Sequence, residues 1–300
     1  RESHGPAGRL DLPGVGLASA GLFGIVWALI NGNSEGWTSP LILGAFTLGA
    51  ALTLAFLAWE RRAPAPMLPP HFFRSRTFSL ANVAAMLQSF GMFGAIFLLV
   101  QFLQFARFYS PLEAGLAVLP WTLAPMFVAP IAGALSDRIG GGLLMGTGLA
   151  LQAAGLAWIA LVSSASVEYV SLIVPFIISG VGMGLYFAPM ANVVLSAVKR
   201  TEEGQASGAS GAIRELGGVL GVAVLASVFA RQGSYLSPQA FVDGMVPAVM
   251  IGAIVVALGA VTAFAIPRVA LGRPASQPAV RPIEADGGVA VAPAYVTVDD

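Results

Sequence analysis

Long runs of apolar residues, each about the length of a membrane-crossing helix, dominate this sequence. A helix needs about 20 mostly apolar residues to cross the hydrocarbon core of a bilayer. Runs such as residues 95–100 are apolar at every position, which disfavours the alternating strands of a membrane barrel. The pattern predicts an all-α polytopic membrane protein with eight transmembrane helices, at residues 12–30, 40–58, 78–100, 111–135, 143–163, 170–195, 205–230 and 242–266.

The segments outside these helices divide the chain further. The longest internal loop contains Pro64, Pro66, Pro69 and Pro70, which predicts an extended and semi-rigid connection. From residue 267 onward, prolines, glycines and scattered charges replace the apolar runs, which predicts a disordered tail. The predicted organisation is a lead-in at 1–11, a helix pair at 12–58, a Pro/Arg loop at 59–77, six further helices at 78–266 and a tail at 267–300.

Composition supports a lipid environment and excludes several function classes. Apolar residues make up 57% of the chain and charged residues 10%, against roughly 25% charged residues in soluble domains. The mean hydropathy is +0.82. A nucleic-acid binder and a soluble nucleotide-binding enzyme are therefore excluded. The chain has no cysteine and 2 histidines, both in predicted loops, so no metal site or catalytic triad is predicted and the protein is not expected to be an enzyme.

Basic residues indicate the orientation of the helices. Of 15 basic residues, 12 fall on the side of the two chain ends, whereas Arg107 and Arg231 fall on the other and Arg214 lies within a helix. Cytoplasmic loops carry the excess of lysine and arginine. Both ends of the segment are therefore predicted to be cytoplasmic, in a plasma (inner) membrane. The chain begins with Arg1 rather than Met, so we expect it to be a fragment.

Arg214 and Glu215 are the most informative polar residues, because they lie about 15 Å inside the seventh predicted helix. Ionisable groups at this depth usually face a cavity or a charged partner. Arg214 is a candidate gating or coupling residue and Glu215 a candidate proton site. The alternatives are a structural ion pair with another helix, or a helix end in the cytoplasm.

Aromatic and amide side chains in the third, fourth and sixth helices are candidates for a substrate pocket. In the third helix Phe90, Phe93, Phe97 and Gln101 recur at offsets of 3 and 4, so they share one face, and Gln88 is a separate, deeper amide. Rings with a few amides suit a bulky, partly polar compound, although the same face could meet lipid and Gln88 could make an interhelical hydrogen bond. The candidates are Gln88, Phe90, Phe93, Phe97, Gln101, Trp121, Tyr186 and Asn192.

The loop after the fourth helix reads GALSDRIGGG at residues 133–142, with Gly133, Asp137 and Arg138 as candidate gating residues. An aspartate here can cap a neighbouring helix and favour its dipole, so the pair could latch two helix bundles. The alternative is a solvated turn whose arginine only sets the orientation.

Several of these motifs together resemble a known family. The stretch GALSDRIG at 133–140 resembles the cytoplasmic loop signature of the major facilitator superfamily, although Gly141 and Gly142 replace the basic residues that usually follow. Other stretches resemble its fourteen-span drug:proton antiporter family, namely SPLEAGLAVLP at 110–120, GQASG at 204–208 with Arg214 and GGVLGVA at 217–223, and DLPG at 11–14 with GW at 36–37.

The resemblance implies a C-terminal transporter part. Residues 12–58 would be the extra central helix pair, and residues 78–266 the C-terminal half of a major facilitator fold, built as two inverted three-helix repeats. The partners would be the lipid bilayer, a small hydrophobic substrate and a missing N-terminal six-helix half, which would carry the acidic residue for proton coupling. The implied function is efflux of hydrophobic drugs by alternating access, driven by a proton gradient without a cofactor. The alternatives are an exporter of one endogenous metabolite, a membrane scaffold or sensor, and a membrane-embedded hydrolase.

Overall fold

The computed structural model describes residues 11–63, 66 and 68–267, and within them every regular element is a helix. Eight helical stretches are long and apolar enough to cross a membrane, which confirms the predicted fold class. Short 3-10 turns lie at Pro70–Arg74 and Arg200–Glu202. The helices are α1 (Leu12–Glu35), α2 (Pro40–Glu60), α3 (Arg76–Phe105), α4 (Pro111–Ala117), α5 (Leu119–Ile139), α6 (Gly141–Val162), α7 (Val170–Ser196), α8 (Glu203–Gln232) and α9 (Pro238–Phe264).

Side-chain caps explain where several helices begin. The carboxylate of Asp11 accepts a hydrogen bond from the Gly14 amide at 3.0 Å, and Ser39 caps α2 directly before a proline at its first turn. Ser110 and Glu113 form a reciprocal capping box at the start of α4. Each cap satisfies backbone amides that lack a partner inside the helix, and the sequence-based start positions of α1, α2 and α4 are therefore accurate.

The fourth predicted span is two helices that meet at Val118. Pro120 lacks an amide hydrogen, which interrupts the backbone hydrogen-bond ladder near this point. Tyr169, in the connection before α7, donates its hydroxyl to the carbonyl oxygen of Ala117 at 2.9 Å. The side chain thus satisfies a carbonyl at the end of α4, where the chain changes from α4 into α5.

The helices α3 to α9 form one bundle, called the six-span bundle below because α4 and α5 act as one span. In it α6 packs between α7 and α9, and α3 packs between α9 and α8, whereas α5 packs mainly on α7. Its core is formed by large side chains such as Phe78, Leu98, Met145, Phe176 and Phe241. The order of neighbours is therefore α5, α7, α6, α9, α3 and α8.

Helices α1 and α2 form a separate hairpin, called the α1–α2 hairpin, that packs tightly on itself. A β-carbon at Gly24 would lie 3.1 Å from the carbonyl oxygen of Ala45, and one at Gly21 would lie 2.7 Å from the Thr53 hydroxyl. Gly36 ends α1 with a φ of 86°, a conformation that glycine adopts without strain. The hairpin contacts the six-span bundle mainly through α8.

A polar contact fastens one end of the hairpin to the bundle. The side-chain amide of Asn33 donates to the carbonyl oxygen of Ser227 at 2.8 Å and to its hydroxyl oxygen at 3.1 Å. The indole of Trp37 in turn donates to the Asn33 side-chain oxygen at 3.0 Å. We call these three residues the polar clamp. Because both ends of the Asn33 amide are bonded, its orientation is fixed.

The polar clamp can be tested by cross-linking, because the chain contains no cysteine. In the full-length protein on a cysteine-free background, Asn33→Cys with Ser227→Cys is expected to form a disulfide on mild oxidation, since the two side chains are in contact. The matched control is Phe23→Cys with Ser227→Cys, because Phe23 lies about 15 Å earlier along α1 and is exposed. Gel mobility before and after reduction reports the cross-link. Equal cross-linking of both pairs would contradict this packing.

The division of the chain into a lead-in, a helix pair, a Pro/Arg loop, six further helices and a tail stays a prediction, as does its assignment to sides of the membrane. Residues 1–10 of the lead-in at 1–11, residues 268–300 of the tail at 267–300 and residues 64, 65 and 67 of the Pro/Arg loop lie outside the described residues. Within the described part of that loop, Glu60 is buried and accepts a hydrogen bond from the Leu68 amide at 2.9 Å.

Candidate functional site

Glycines on α8 bring its backbone against α3 and so fix the position of the candidate charged residues. A β-carbon at Gly217 would overlap the carbonyl oxygen of Met86, and one at Gly221 would overlap that of Phe90. In both pairs the residue on α8 and the residue on α3 are separated by the same number of positions in the sequence. The two helices therefore run parallel in one register. Small residues allow membrane helices to approach this closely. Arg214 and Glu215 lie directly before this contact.

Arg214 and Glu215 remain partly exposed in the described structure. Glu215 lies about 18 Å along the axis from Glu203, the first residue of α8. The side chains are 38% and 65% exposed, and the Arg214 guanidinium lies 3.5 Å from the Glu215 carboxylate. That distance is long for a charge-assisted hydrogen bond, because neighbouring positions on a helix point about 100° apart. Both charges are therefore available to a further partner.

Buried amides join α3 to α6 deeper in the bundle. Gln88 is fully buried and donates to the side-chain oxygen of Gln152 at 3.4 Å and to the sulfur of Met92 at 3.2 Å. Ser89 donates to the Gln88 oxygen at 3.3 Å. Gln88 therefore makes an interhelical hydrogen bond, which was the alternative to a place in the substrate pocket. Gln152 is the partner that the sequence reasoning missed, although a single amide in an otherwise apolar helix was a usable signal.

This amide pair predicts a non-additive effect on stability. Gln88→Leu leaves the Gln152 amide buried without its partner and is expected to lower the free energy of unfolding by about 1 kcal/mol. Gln88→Leu combined with Gln152→Leu is expected to cost less than the sum of the single changes, because the buried Gln152 oxygen, which loses its donor in the single variant, is removed as well. Unfolding of the purified protein in denaturing detergent measures both. Gln205→Leu, at an exposed amide on α8, is the control, and additive effects would contradict the pairing.

Tyr186 lies at the depth of Arg214. A β-carbon at Gly148 would lie 2.8 Å from the Tyr186 backbone nitrogen, which places Tyr186 one helical turn from the level of the amide pair. Tyr186 is fully buried, and its hydroxyl has no hydrogen-bond partner among the described residues. The contacts of α8 with α3, of α3 with α6 and of α6 with α7 therefore place Tyr186 and Arg214 at a similar depth in the bundle.

The aromatic stripe of α3 separates into different surroundings. Phe93 lies against α8, because a β-carbon at Gly218 would meet its ring at 2.8 Å, and its outer edge remains exposed. Phe90 is half-buried beside Gly221, whereas Phe97 is 42% exposed. Only Phe93 of these rings lines a cavity with Glu215 among the described residues. The substrate-pocket assignment of the whole stripe stays a prediction.

Gln101 belongs to a contact at the far end of α3. Its side-chain oxygen accepts a hydrogen bond from the Tyr235 hydroxyl at 2.6 Å. Tyr235, in the connection between α8 and α9, packs edge-on against the rings of Phe105, Phe229 and Phe241. Burial raises the pKa of Tyr235 above its ordinary value, so the hydroxyl remains a donor at neutral pH. Gln101 thus ties α3 to the α8–α9 connection.

Trp121 and Asn192 occupy opposite kinds of environment. Trp121 is 1% exposed and stacks on Phe176 with ring centroids 6.1 Å apart, so it packs inside the bundle in this conformation. Asn192 is exposed near the end of α7. Neither lies in the cavity that contains Phe93 and Glu215. Their role in a substrate pocket stays a prediction.

The predicted latch loop forms a tight turn between α5 and α6. Gly140 ends α5 with a φ of 95°, which glycine adopts freely, and α6 begins at the next residue. A β-carbon at Gly133 would meet no atom within 4 Å, and Arg138 is exposed. The side chain of Asp137 lies outside the described residues. Gly133 and Arg138 therefore face open space, and the role of the candidate latch stays a prediction.

The candidate residues do not form one site; they fall into three separate pairs. Arg214 lies at a similar depth to Tyr186, Phe93 shares a cavity with Glu215, and Gln88 pairs with Gln152. Among residues 11–63, 66 and 68–267, no cluster of three or more acidic or histidine side chains could hold a metal ion. The arrangement provides charges and polar groups within apolar helices, which suits binding and conformational change.

Comparison with known proteins agrees with this arrangement. The sequence matches the Major Facilitator Superfamily over residues 13–222 and 81–296. It is 35% identical to the multidrug resistance protein Stp of Mycobacterium tuberculosis over 226 residues, which are 75% of this chain and 41% of Stp. The puromycin resistance protein pur8 of Streptomyces alboniger is 34% identical over 81% of this chain and 50% of its own length. The tetracenomycin C resistance and export protein of Streptomyces glaucescens is 30% identical over 80% of this chain and 44% of its own length.

The chain spans about half the length of the curated relatives that it matches. The family match covers most of the chain, and the helices have the length, number and composition that the resemblance implied. The chain is thus a multi-pass membrane protein of the major facilitator superfamily, and relatives that it resembles are named for drug resistance and export.

Proposed function

We propose that the full-length protein is a secondary active transporter that exports hydrophobic drugs or related small molecules in exchange for protons. The observation that carries the proposal is the pair of ionisable residues, Arg214 and Glu215, held by glycine contacts well inside a membrane helix. Burial of charge in lipid is costly, so such groups usually serve transport or ion coupling. The relatives named for drug resistance and export support the same class of activity.

The mechanism would be alternating access, in which two halves of the transporter rock around a site near the bilayer midplane. The contacts of α3 with α8 and of α6 with α7 are close along their length, so the six-span bundle would move as one body. Arg214, whose guanidinium lies 3.5 Å from the Glu215 carboxylate, would respond electrostatically when substrate or a proton changes the local charge. A proton gradient would supply the energy, and a second six-helix half would complete the pathway.

The membrane assignment is part of the proposal. We place the protein in the plasma membrane of a bacterial cell, with both ends of this segment in the cytoplasm, because most loop arginines fall on that side. The protein would act as a transporter and not as an enzyme, in agreement with its family.

A second candidate is export of one endogenous metabolite. Its support is that several relatives are named for single compounds, including puromycin, tetracenomycin C and cephamycin. An apolar pocket with few polar groups serves either a broad or a narrow substrate range, because shape decides the selectivity.

An accumulation assay tests both candidates. The full-length protein is expressed in a bacterial host that lacks its main efflux pumps, and cells are loaded with a panel of hydrophobic antibiotics and the dye ethidium. Lower accumulation of several unrelated compounds, reversed by a protonophore, is expected for a proton-coupled drug exporter. Lower accumulation of one compound alone would favour the metabolite exporter. Unchanged accumulation of every compound by a well-expressed protein would contradict both.

A further inference from the structure

The two short 3-10 turns, Pro70–Arg74 before α3 and Arg200–Glu202 before α8, meet at one end of the six-span bundle. Nε2 of His71 in the first turn lies 3.1 Å from Oε1 of Glu202 in the second, although the two residues are 131 positions apart in the sequence. The His71 side chain is exposed and that of Glu202 is half-buried. This contact holds the connection between α2 and α3 against the start of α8.

Aromatic packing fixes the first turn on the bundle. Phe72 is buried and lies against Phe78 with ring centroids 5.2 Å apart, whereas Phe73 meets Phe78 edge-on and remains exposed. The hydroxyl of Ser79 donates to the carbonyl oxygen of Phe73 at 2.9 Å. The turn therefore presents an exposed ring where α3 begins, and aromatic rings are favoured at the level of lipid headgroups.

Exposed basic side chains surround the contact between the two turns. They lie at the end of α2, at the start of α3 and between α7 and α8, all at the same end of the bundle. Within the described part of the chain, ion pairs form only at His71–Glu202 and Arg214–Glu215, so none of these basic groups has an acidic partner there. We call them the basic rim: Arg61, Arg62, Arg74, Arg76, Lys199 and Arg200.

The two ends of the described structure differ in charge. The end with the basic rim carries seven basic and five acidic residues, and of the acidic ones Asp11 and Glu60 are buried and Glu202 contacts His71. The opposite end carries two basic and four acidic residues. Membrane-crossing helices bring both ends to the level of the headgroups, so lipid is present at each. An excess of exposed arginine and lysine attracts anionic headgroups to the first end.

We propose that the basic rim binds the phosphate of an anionic phospholipid, with Arg74 and Arg200 as its main ligands and the exposed ring of Phe73 against the glycerol and upper acyl chain. These two arginines flank the contact between the turns, and guanidinium groups bind phosphate oxygens through paired hydrogen bonds. A zwitterionic lipid brings a cation of its own, which the rim repels. The site goes beyond the proposed function, since lipid binding does not require export.

Lipid titrations of the full-length protein, followed by native mass spectrometry, test the proposal. The probes are dioleoylphosphatidylglycerol and dioleoylphosphatidylcholine, which share their acyl chains and differ in net charge. Wild type is expected to bind the anionic lipid at least tenfold more tightly. Arg74→Gln combined with Arg200→Gln should remove most of this preference, because each arginine near a charged surface contributes about fivefold. Arg107→Gln combined with Arg231→Gln removes the same charge at the opposite end and is the matched control, which should bind as wild type.

A second pair of variants separates a fixed site from diffuse charge. His71→Ala removes the contact with Glu202 and leaves every arginine in place. It is expected to weaken binding of the anionic lipid several-fold at pH 8, where an ordinary imidazole is neutral. His71→Gln keeps a side-chain donor for Glu202 and should bind more nearly as wild type. Wild-type affinity in His71→Ala would contradict a site between the two turns.

Soluble competitors distinguish a lipid from a free phosphate. Inorganic phosphate and glycerophosphoglycerol, which is the headgroup without acyl chains, should not displace the anionic lipid, because neither contacts Phe73 or the membrane. Displacement by either would identify a phosphate site and overturn the proposal, as would equal binding of the two lipids by wild type or an unchanged preference in the Arg74 and Arg200 double variant. Lipid preference without export in the accumulation assay would contradict the proposed function and leave this site intact, and export without lipid preference would do the reverse.

Discussion

Arg214→Ala is expected to abolish export by the full-length protein while leaving its membrane insertion intact. The guanidinium lies about ten residues inside α8, at a similar depth to the buried Tyr186 of α7. Its removal eliminates the positive charge at this depth, whereas the α3–α8 contact through Gly217 and Gly221 does not involve the side chain. The accumulation assay should therefore show at least a tenfold loss of efflux, with normal protein in the membrane fraction.

One further variant separates the charge of Arg214 from the shape of its side chain, and a second is a control at another arginine. Arg214→Lys keeps the charge and is expected to retain part of the efflux, although lysine lacks the planar fork of donors. Arg231→Ala removes an exposed arginine at the end of the same helix and should export as wild type. Wild-type efflux by a well-expressed Arg214→Ala protein would exclude the coupling role and favour a structural one.

Gly221→Ala is expected to lower the melting temperature of the purified protein substantially. The added β-carbon would overlap the carbonyl oxygen of Phe90, and a backbone atom cannot move aside without separating α3 from α8. Overpacking of this kind costs about 1–3 kcal/mol, and sometimes more. Thermal unfolding in detergent, followed by tryptophan fluorescence, measures the shift, and Gly217→Ala should behave in the same way because it faces the backbone of Met86.

Gly208→Ala is the matched control on the same helix. A β-carbon there would meet no atom of the described structure within 4 Å, and alanine is the better helix former by about 1 kcal/mol. The melting temperature should therefore stay the same or rise. A loss as large as that of Gly221→Ala would show that another surface of the full-length protein covers Gly208, and equal tolerance at both positions would contradict the close contact of α3 with α8.

The fold was predictable from the sequence because each membrane helix must satisfy its own backbone hydrogen bonds in lipid. Long apolar runs therefore report helices directly, and capping residues such as Asp11, Ser39 and Ser110 mark their starts. The break at Val118 was not predicted, since Pro120 within an apolar run is compatible with a bent helix as well as with two helices. The family was accessible through several short motifs that occur together.

The candidate site was only partly predictable, because hydrophobic periodicity within one helix does not say which other helix faces it. The stripe on α3 was correctly placed on that helix, yet Phe93 lines the cavity at α8 and Gln101 bonds to Tyr235 at the far end. Contacts between residues distant in sequence, such as Asn33 with Ser227, depend on the packing register of whole helices. The position of each candidate along its own helix was predictable, and its partners on other helices were not.

The attachment of the α1–α2 hairpin has a consequence for how such a chain could change its number of spans. The hairpin completes its own internal packing through Gly21 and Gly24, and it contacts the rest of the protein mainly through α8. The helices within the six-span bundle therefore keep nearly all their contacts with one another whether or not the hairpin is present. A pair of helices that enters and leaves the bilayer on the same side also preserves the orientation of every later span. Insertion or deletion of this unit is thus compatible with an unchanged bundle.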